Sequence, residues 1–238
     1  MSDSSKEMLK LEIEELKKQI FSINGAFEEL AVELAHEKLS HRELHAQLQD
    51  AIKMAIYDPL TGAVTRKEME RQITLSLSSL HRVQKMVKDG VAQTAEPEEF
   101  SILFFDLNGL KAVNDSFGHR AGDVLLKTFG TVLRQHFKRE TDIVSRWGCG
   151  DEFVVLLGGV TPRLKAEAIA EEFLQELTSE CVRFSFGKGN DATPREIPLR
   201  AAVGVSSTSD GFTTMEELIA AADNELYHHK SVTSGSRR

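Results

Sequence analysis

The stretch Arg146-Trp147-Gly148-Cys149-Gly150-Asp151-Glu152-Phe153 reads as the end of one strand, a glycine turn and the start of a second strand. Ile143, Val144 and Trp147 precede the turn, and the apolar run Phe153-Val154-Val155-Leu156-Leu157 follows it, as in a fully buried strand. Gly148 and Gly150 give the tip backbone freedom. Asp151 and Glu152 stand at the exit of the turn, directly before the buried run. A carboxylate beside a core costs free energy unless a cation meets it, and a metal ion is the natural partner.

A second carboxylate has the same setting. Phe100-Ser101-Ile102-Leu103-Phe104-Phe105 is a short apolar run that ends in Asp106 and is broken by Asn108-Gly109. If the two strands are neighbours, Asp106 and Asp151 project from one sheet edge. Two oxygen ligands with open positions left over suit Mg²⁺ bound to a nucleotide phosphate, with Mn²⁺ as the substitute. Taken singly, either residue reads equally as a solvated turn aspartate, because turns favour Asp.

Further motifs follow in order along the chain. They are Asp58-Pro59-Leu60-Thr61-Gly62, Phe105-Asp106-Leu107-Asn108-Gly109-Leu110-Lys111-Ala112-Val113-Asn114-Asp115, Phe117-Gly118-His119-Arg120-Ala121-Gly122-Asp123, the glycine turn itself, and Ala222-Asp223-Asn224-Glu225-Leu226-Tyr227. Together they resemble the GGDEF family, the diguanylate cyclase domains, from Asp58 to about Lys230. The fold this implies is an α+β, ferredoxin-like palm similar to nucleotide cyclases and polymerases. Strands alternating with helices around one antiparallel hairpin agree with it.

Composition bounds the rest. A chain of 238 residues holds one full domain plus an extension, and 41% hydrophobic residues support a core. A net charge of −8 argues against a DNA-binding face. No apolar run is long enough to insert in a membrane, and Met1 to Lys6 has no apolar signal core, so a cytoplasmic location is expected. Cys149 and Cys181 provide no disulfide framework.

Residues 6 to about 56 read as one long helix. Leu9, Ile13, Leu16, Ile20, Ile23, Phe27, Leu30, Leu34, Glu37, His41, Leu44, Leu48, Ala51 and Ala55 recur in steps of four and three. Such a helix, roughly 75 Å long at ~1.5 Å per residue, cannot bury its stripe against itself. A parallel homodimer is the first expectation, and a helix folded back on its own domain the alternative. Glu37, His41 and His45 have a spacing that can hold zinc, but a polar interruption that sets register is the preferred reading. The expected organisation is a coiled-coil helix over 1–56, a catalytic domain over 57–230 and a disordered tail over 231–238. Within the domain, helices are expected over about 65–88, 111–117, 121–137, 162–178 and 214–230. One strand is expected from Val182 to Phe186 and one from Ile197 to Ser206, separated by a polar loop.

The resemblance implies condensation of two GTP molecules into cyclic di-GMP in a homodimer. Asp106, Asp151 and the carbonyl of Leu107 take the metal ligand positions, Asp151 is also the candidate base, and Glu152 stands beside it. Lys111, helped by the backbone N–H groups of Asn108 to Leu110, and Lys230 match the phosphate contacts. Asn114 and Asp123 match the residues that read guanine, and a carboxylate does accept from guanine N1–H and the 2-amino group, which adenine lacks. Arg139 and Asp142 match the family's inhibitory product site. The chain also departs from the pattern. Thr65 stands where asparagine is usual, Thr233-Ser234 replace a late Gly-Arg with Arg237 as a candidate substitute, and Cys149 lengthens the turn by one residue. Asp151 and Glu152 are therefore expected to shift against Asp106, and a displacement of ~1 Å can cost ~100-fold in rate. The alternative function is a non-catalytic domain of the same family that binds GTP or cyclic di-GMP as a signalling receptor.

Overall fold

The computed structural model describes residues 3–91, 98–160, 162–186 and 193–235. Contacts divide the chain into two units, residues 1–53 and 54–238. The first is helix. The element α1 (Asp3–Ile56) is unbroken, and Ile13, Leu16, Ile20, Ile23, Phe27, Leu30, Leu34, Leu44 and Leu48 of the four-three pattern are all exposed along it.

The second unit runs β1 (Val64–Thr65), α2 (Arg66–Lys88), β2 (Phe100–Leu107), α3 (Leu110–Phe117), α4 (His119–His136), β3 (Asp142–Arg146), β4 (Glu152–Gly158), α5 (Arg163–Leu177), β5 (Cys181–Phe186), β6 (Thr193–Pro198), β7 (Ala201–Ser207) and α6 (Met215–Gly235). The main sheet has the order β1-β3-β4-β2-β7, with the last four strands mutually antiparallel. This is a βαββαβ palm with extra helices, the expected α+β class. Two strand expectations need correcting. The strand expected over Ile197–Ser206 is broken at Leu199-Arg200: β6 pairs only with β5 in a separate two-stranded sheet, and β7 joins the main sheet. Leu199 N–H donates to the Glu180 carbonyl at 2.9 Å, which holds the chain at this break. The short β1 was not expected. Thr65 serves as the N-cap of α2, accepting from the Glu68 N–H, so asparagine is not needed there. The last helix runs to Gly235, beyond the Lys230 end expected for it, and Arg237 lies outside the described residues.

The sheet is buried on both faces, which explains the unbroken apolar runs. Leu103, Phe105, Phe153 and Val155 face α4 and α5, where Phe105 packs on Phe129, Phe137 and Phe173. Ile102, Phe104, Val154 and Leu156 face α2 and α6 with Met69, Ile73, Leu218 and Leu226. A register slip of one residue would exchange these faces, so the pairing is firmly specified.

Two contacts seat α6. A Cβ at Gly204 in β7 would collide with the Ala222 carbonyl, so the helix backbone lies directly on the strand. Arg163 of α5 bonds Glu225 of α6 at 2.6 Å, Glu167 at 2.7 Å and Asp210 at 3.4 Å, and Glu225 also accepts from Val205 N–H at 2.8 Å. Gly204→Ala is therefore expected to destabilise the domain by about 3 kcal/mol in urea unfolding, because backbone, not a movable side chain, stands in the way.

Candidate functional site

The β2–β4 pairing sets Asp106 directly opposite Glu152. One step further, Leu107 N–H donates to the Asp151 carbonyl at 3.0 Å, and Asn108 N–H donates to the Arg200 carbonyl at 2.8 Å. Asp106, Leu107, Asp151 and Glu152 thus come together at one sheet edge. The one-residue extension leaves the ladder continuous up to the Asp106–Glu152 pair. Trp147 N–H donates to the Glu152 carbonyl at 2.9 Å, so the extra residue is accommodated at the tip, outside the ladder. Arg146 closes that tip from beneath: its guanidinium donates to the carbonyls of Cys149 (3.2 Å) and Gly150 (3.1 Å), and to Asp58 at 3.4 Å. Asp58 in turn accepts from the Thr61 N–H and hydroxyl. The backbone freedom expected of Gly148 and Gly150 is not used, since neither has a positive φ.

The edge is electrostatically crowded. Burial, followed by the charges of Asp106, Asp151 and Asp223, pushes the Glu152 carboxyl above the usual range. Burial also raises Asp106; the Lys230 ammonium opposes this by bonding Asp106 at 2.6 Å, while Asp151 and Asp223 add to it. Hard carboxylate oxygens held against their own repulsion fit a divalent cation, and Lys230 supplies positive charge at that position here. Among the described residues, no three acidic, imidazole or thiol side chains converge as a closed metal cage. Two carboxylates and a carbonyl at this edge could hold a divalent cation in an open site, with water and other oxygens filling the remaining positions.

The other expected residues fall around this edge. Gly109, in the left-handed region at φ 86°, turns the chain from β2 into α3, and no side chain caps that helix. Its first turn therefore keeps N–H donors for an anion, although the Asn108 N–H is already committed to Arg200. Lys111 is exposed on α3. Asn114 is half-buried, its Oδ1 has no hydrogen-bond partner among the described residues, and a Cβ at Gly122 would collide with it. The α3–α4 contact thereby sets Asn114 beside the residue preceding exposed Asp123. Arg139 and Asp142 make a 3.8 Å ion pair at the start of β3. Two participants were missed from sequence. Asp223 belongs to the charge cluster, and its seven-residue spacing from Lys230, two turns along α6, was the available signal. Arg146 served in the sequence only as a landmark, and its bonds to turn carbonyls have no sequence signature.

A model of the family described as "Diguanylate cyclase, GGDEF domain" matches residues 55–235. Among curated proteins, the chain is 28% identical over 182 residues to the bifunctional diguanylate cyclase/cyclic di-GMP phosphodiesterase MucR of Pseudomonas aeruginosa, covering 76% of this chain and 23% of MucR. It is 28% identical over 185 residues to the diguanylate cyclase DgcS of Shewanella oneidensis, covering 76% and 57% respectively. It thus spans well under two thirds of either relative. Among solved structures, the coiled coil and GGDEF domain of DgcB from Caulobacter crescentus, in complex with c-di-GMP, has the same fold: TM-score 0.66 at 19% identity, over 85% of this chain and 94% of that one. The GGDEF domain of TpbB from Pseudomonas aeruginosa gives a TM-score of 0.58 at 26% identity, over 74% of this chain and 88% of that one.

The Asp142 carboxyl is almost wholly enclosed, its side chain 3% exposed, and among the described residues Oδ1 has no hydrogen-bond partner. Burial raises its pKa, and the Arg139 charge only partly offsets this. A raised native pKa means that the folded chain holds this proton more tightly than the unfolded chain does. The penalty for the ionised form is then absent below the ordinary aspartate range. It builds up as pH rises through the raised value. Asp142→Asn is expected to melt above the wild type at neutral pH, with the gap closing on acidification; thermal unfolding across pH checks this.

Proposed function

We infer a catalytic role from one premise: this chain belongs to the diguanylate cyclase GGDEF-domain family. It condenses two GTP molecules into cyclic di-GMP and two pyrophosphates. The observation that carries this reading is the unshifted register, with Asp106 opposite Glu152 and Asp151 bonded to Leu107 despite the longer turn. Asp106, Asp151 and the Leu107 carbonyl would hold Mg²⁺, which neutralises the triphosphate and acidifies the attacking hydroxyl. Lys111 and the first turn of α3 bind phosphate oxygens. Asn114 and Asp123 hold the guanine. The 3′-oxygen of one GTP bonds the α-phosphorus of the other, the bond from that phosphorus to the pyrophosphate leaving group breaks, and Asp151 takes the 3′-hydroxyl proton. Both halves of the reaction proceed in the same way, so atoms and charge balance.

A domain with one guanine site must face a second copy, because orientation of two substrates is most of the catalytic task. The exposed stripe of α1 supplies the pairing surface, as a parallel coiled coil. Cyclic di-GMP returns to Arg139 and Asp142, where a guanidinium can form paired bonds to guanine or phosphate. A second reading, a nucleotide receptor without turnover, is favoured by the sequence departures: Cys149 in the turn and Thr233-Ser234 in place of the late Gly-Arg.

Incubation of the purified chain with GTP and Mg²⁺, followed by mass-resolved chromatography, separates the two. Cyclic di-GMP is expected, and Asp151→Asn is expected to reduce its formation by about 100-fold or more with fold and dimer intact. A dimeric wild-type protein that binds cyclic di-GMP but makes none supports the receptor. Replacing Ile20 and Phe27 together by Asp is expected to give a monomer in sedimentation analysis. That monomer should lose synthesis at dilute concentration while the thermal transition of the domain persists.

A further inference from the structure

A bound GTP would set several negative phosphate charges against the Mg²⁺ and Lys111 assigned above. Lys111 is one cation, and Lys230 is engaged by Asp106. The structure brings another cation to the same edge. Arg200 sits in the break between β6 and β7, next to Ala201, which pairs with Leu107. Its carbonyl accepts the Asn108 N–H at 2.8 Å, so its backbone is fixed one step beyond the Leu107 position that the metal reading uses. With Asn108, Gly109, His229 and Lys230, Arg200 lines an open cleft of about 950 Å³. That is at the upper end of the range for small-molecule sites. The Arg200 residue is exposed, and among the described residues its side chain takes part in no ion pair.

We propose that Arg200 is a substrate-binding residue of this site, a planar guanidinium that grips the β- and γ-phosphates of GTP. The inference rests on the diguanylate cyclase reading and extends it to a residue that the motifs do not mark. The chemistry is specific to a polyphosphate. A guanidinium fork matches two phosphate oxygens at once, which a lysine ammonium does not. The phosphates would lie between Arg200 on the β7 side and the uncapped first turn of α3, entered from Gly109. The broken strand thereby acquires a function. Had residues 197–206 continued as one strand, position 200 would stand inside a ladder instead of at the lip of the cleft.

Equilibrium binding with Mg²⁺ tests this, using a non-reacting GTP analogue with a methylene bridge between its α- and β-phosphates, and guanosine monophosphate as the partner ligand. Arg200→Ala is expected to weaken the triphosphate analogue by about tenfold or more and to leave the monophosphate and the thermal transition unchanged. Arg200→Lys should recover part of the loss, because it restores charge without the fork. In turnover assays, Arg200→Ala should raise KM more than it lowers kcat. An Arg200→Ala protein that binds the analogue like the wild type overturns the proposal and leaves the function intact. Equal weakening of both ligands with a lower melting temperature assigns Arg200 a structural role and also overturns it. A wild-type protein that binds neither nucleotide removes the substrate reading itself, and the proposal with it.

Discussion

The antiparallel register of β2 against β4 is the constraint on which the rest depends. Seven consecutive pairs run from Phe100 opposite Gly158 to Asp106 opposite Glu152. Both faces of these strands are buried, so the register cannot slip without turning phenylalanines out of one aromatic layer and into the other. Hydrophobic packing thus holds carboxylates closer together than their charges favour. Burial raises the pKa values of Asp106 and Glu152, and the neighbouring carboxylate charges add to it. The core thus wins against the local repulsion and fixes the carboxylates in place.

The second arm of the site is α6, held by contacts with no part in the chemistry. Gly204 allows the helix backbone to lie on β7, and Arg163 ties Glu225 to the same strand through Val205. These fix the rotation of α6, and rotation decides which side chains reach the sheet edge. Asp223 and Lys230, two turns apart, both do. One adds to the negative charge and the other offsets it. The Lys230–Asp106 bond is therefore in competition with any metal at Asp106.

Much of this was legible in the sequence, and the failures have physical causes. The apolar runs at 100–105 and 153–157 identified the central strands because two-sided burial leaves no polar alternation to confuse the reading. The four-three spacing identified α1 because helix periodicity is local. The break at Leu199-Arg200 was missed although Pro198 and the charged Arg200 interrupt the apolar residues there; the pairing partners change across it, from β5 to β2, and pairing is not local. Asp223 was hidden for a similar reason. Its motif was visible, but its charge matters only once Gly204 has set the helix on the strand. The turn glycines were over-read, since a glycine in a hairpin suggests a left-handed backbone and neither Gly148 nor Gly150 has one.

The lengthened turn shows why counting residues through a loop misplaces a site that a ladder positions. Measured from Arg146, Asp151 stands one residue late. Measured from Phe153, which pairs with both Arg146 and Phe105, it stands in register. The ladder is the frame that matters, because Trp147 N–H closes on the Glu152 carbonyl and seals the hairpin below the tip. What lies above that closure, Gly148 to Gly150, is fastened separately by Arg146 through the Cys149 and Gly150 carbonyls. The ladder pairing of the carboxylates is thus continuous below the insertion. Its consequence falls instead on the exposed Cys149 at the tip, where the turn approaches whatever lies across the edge.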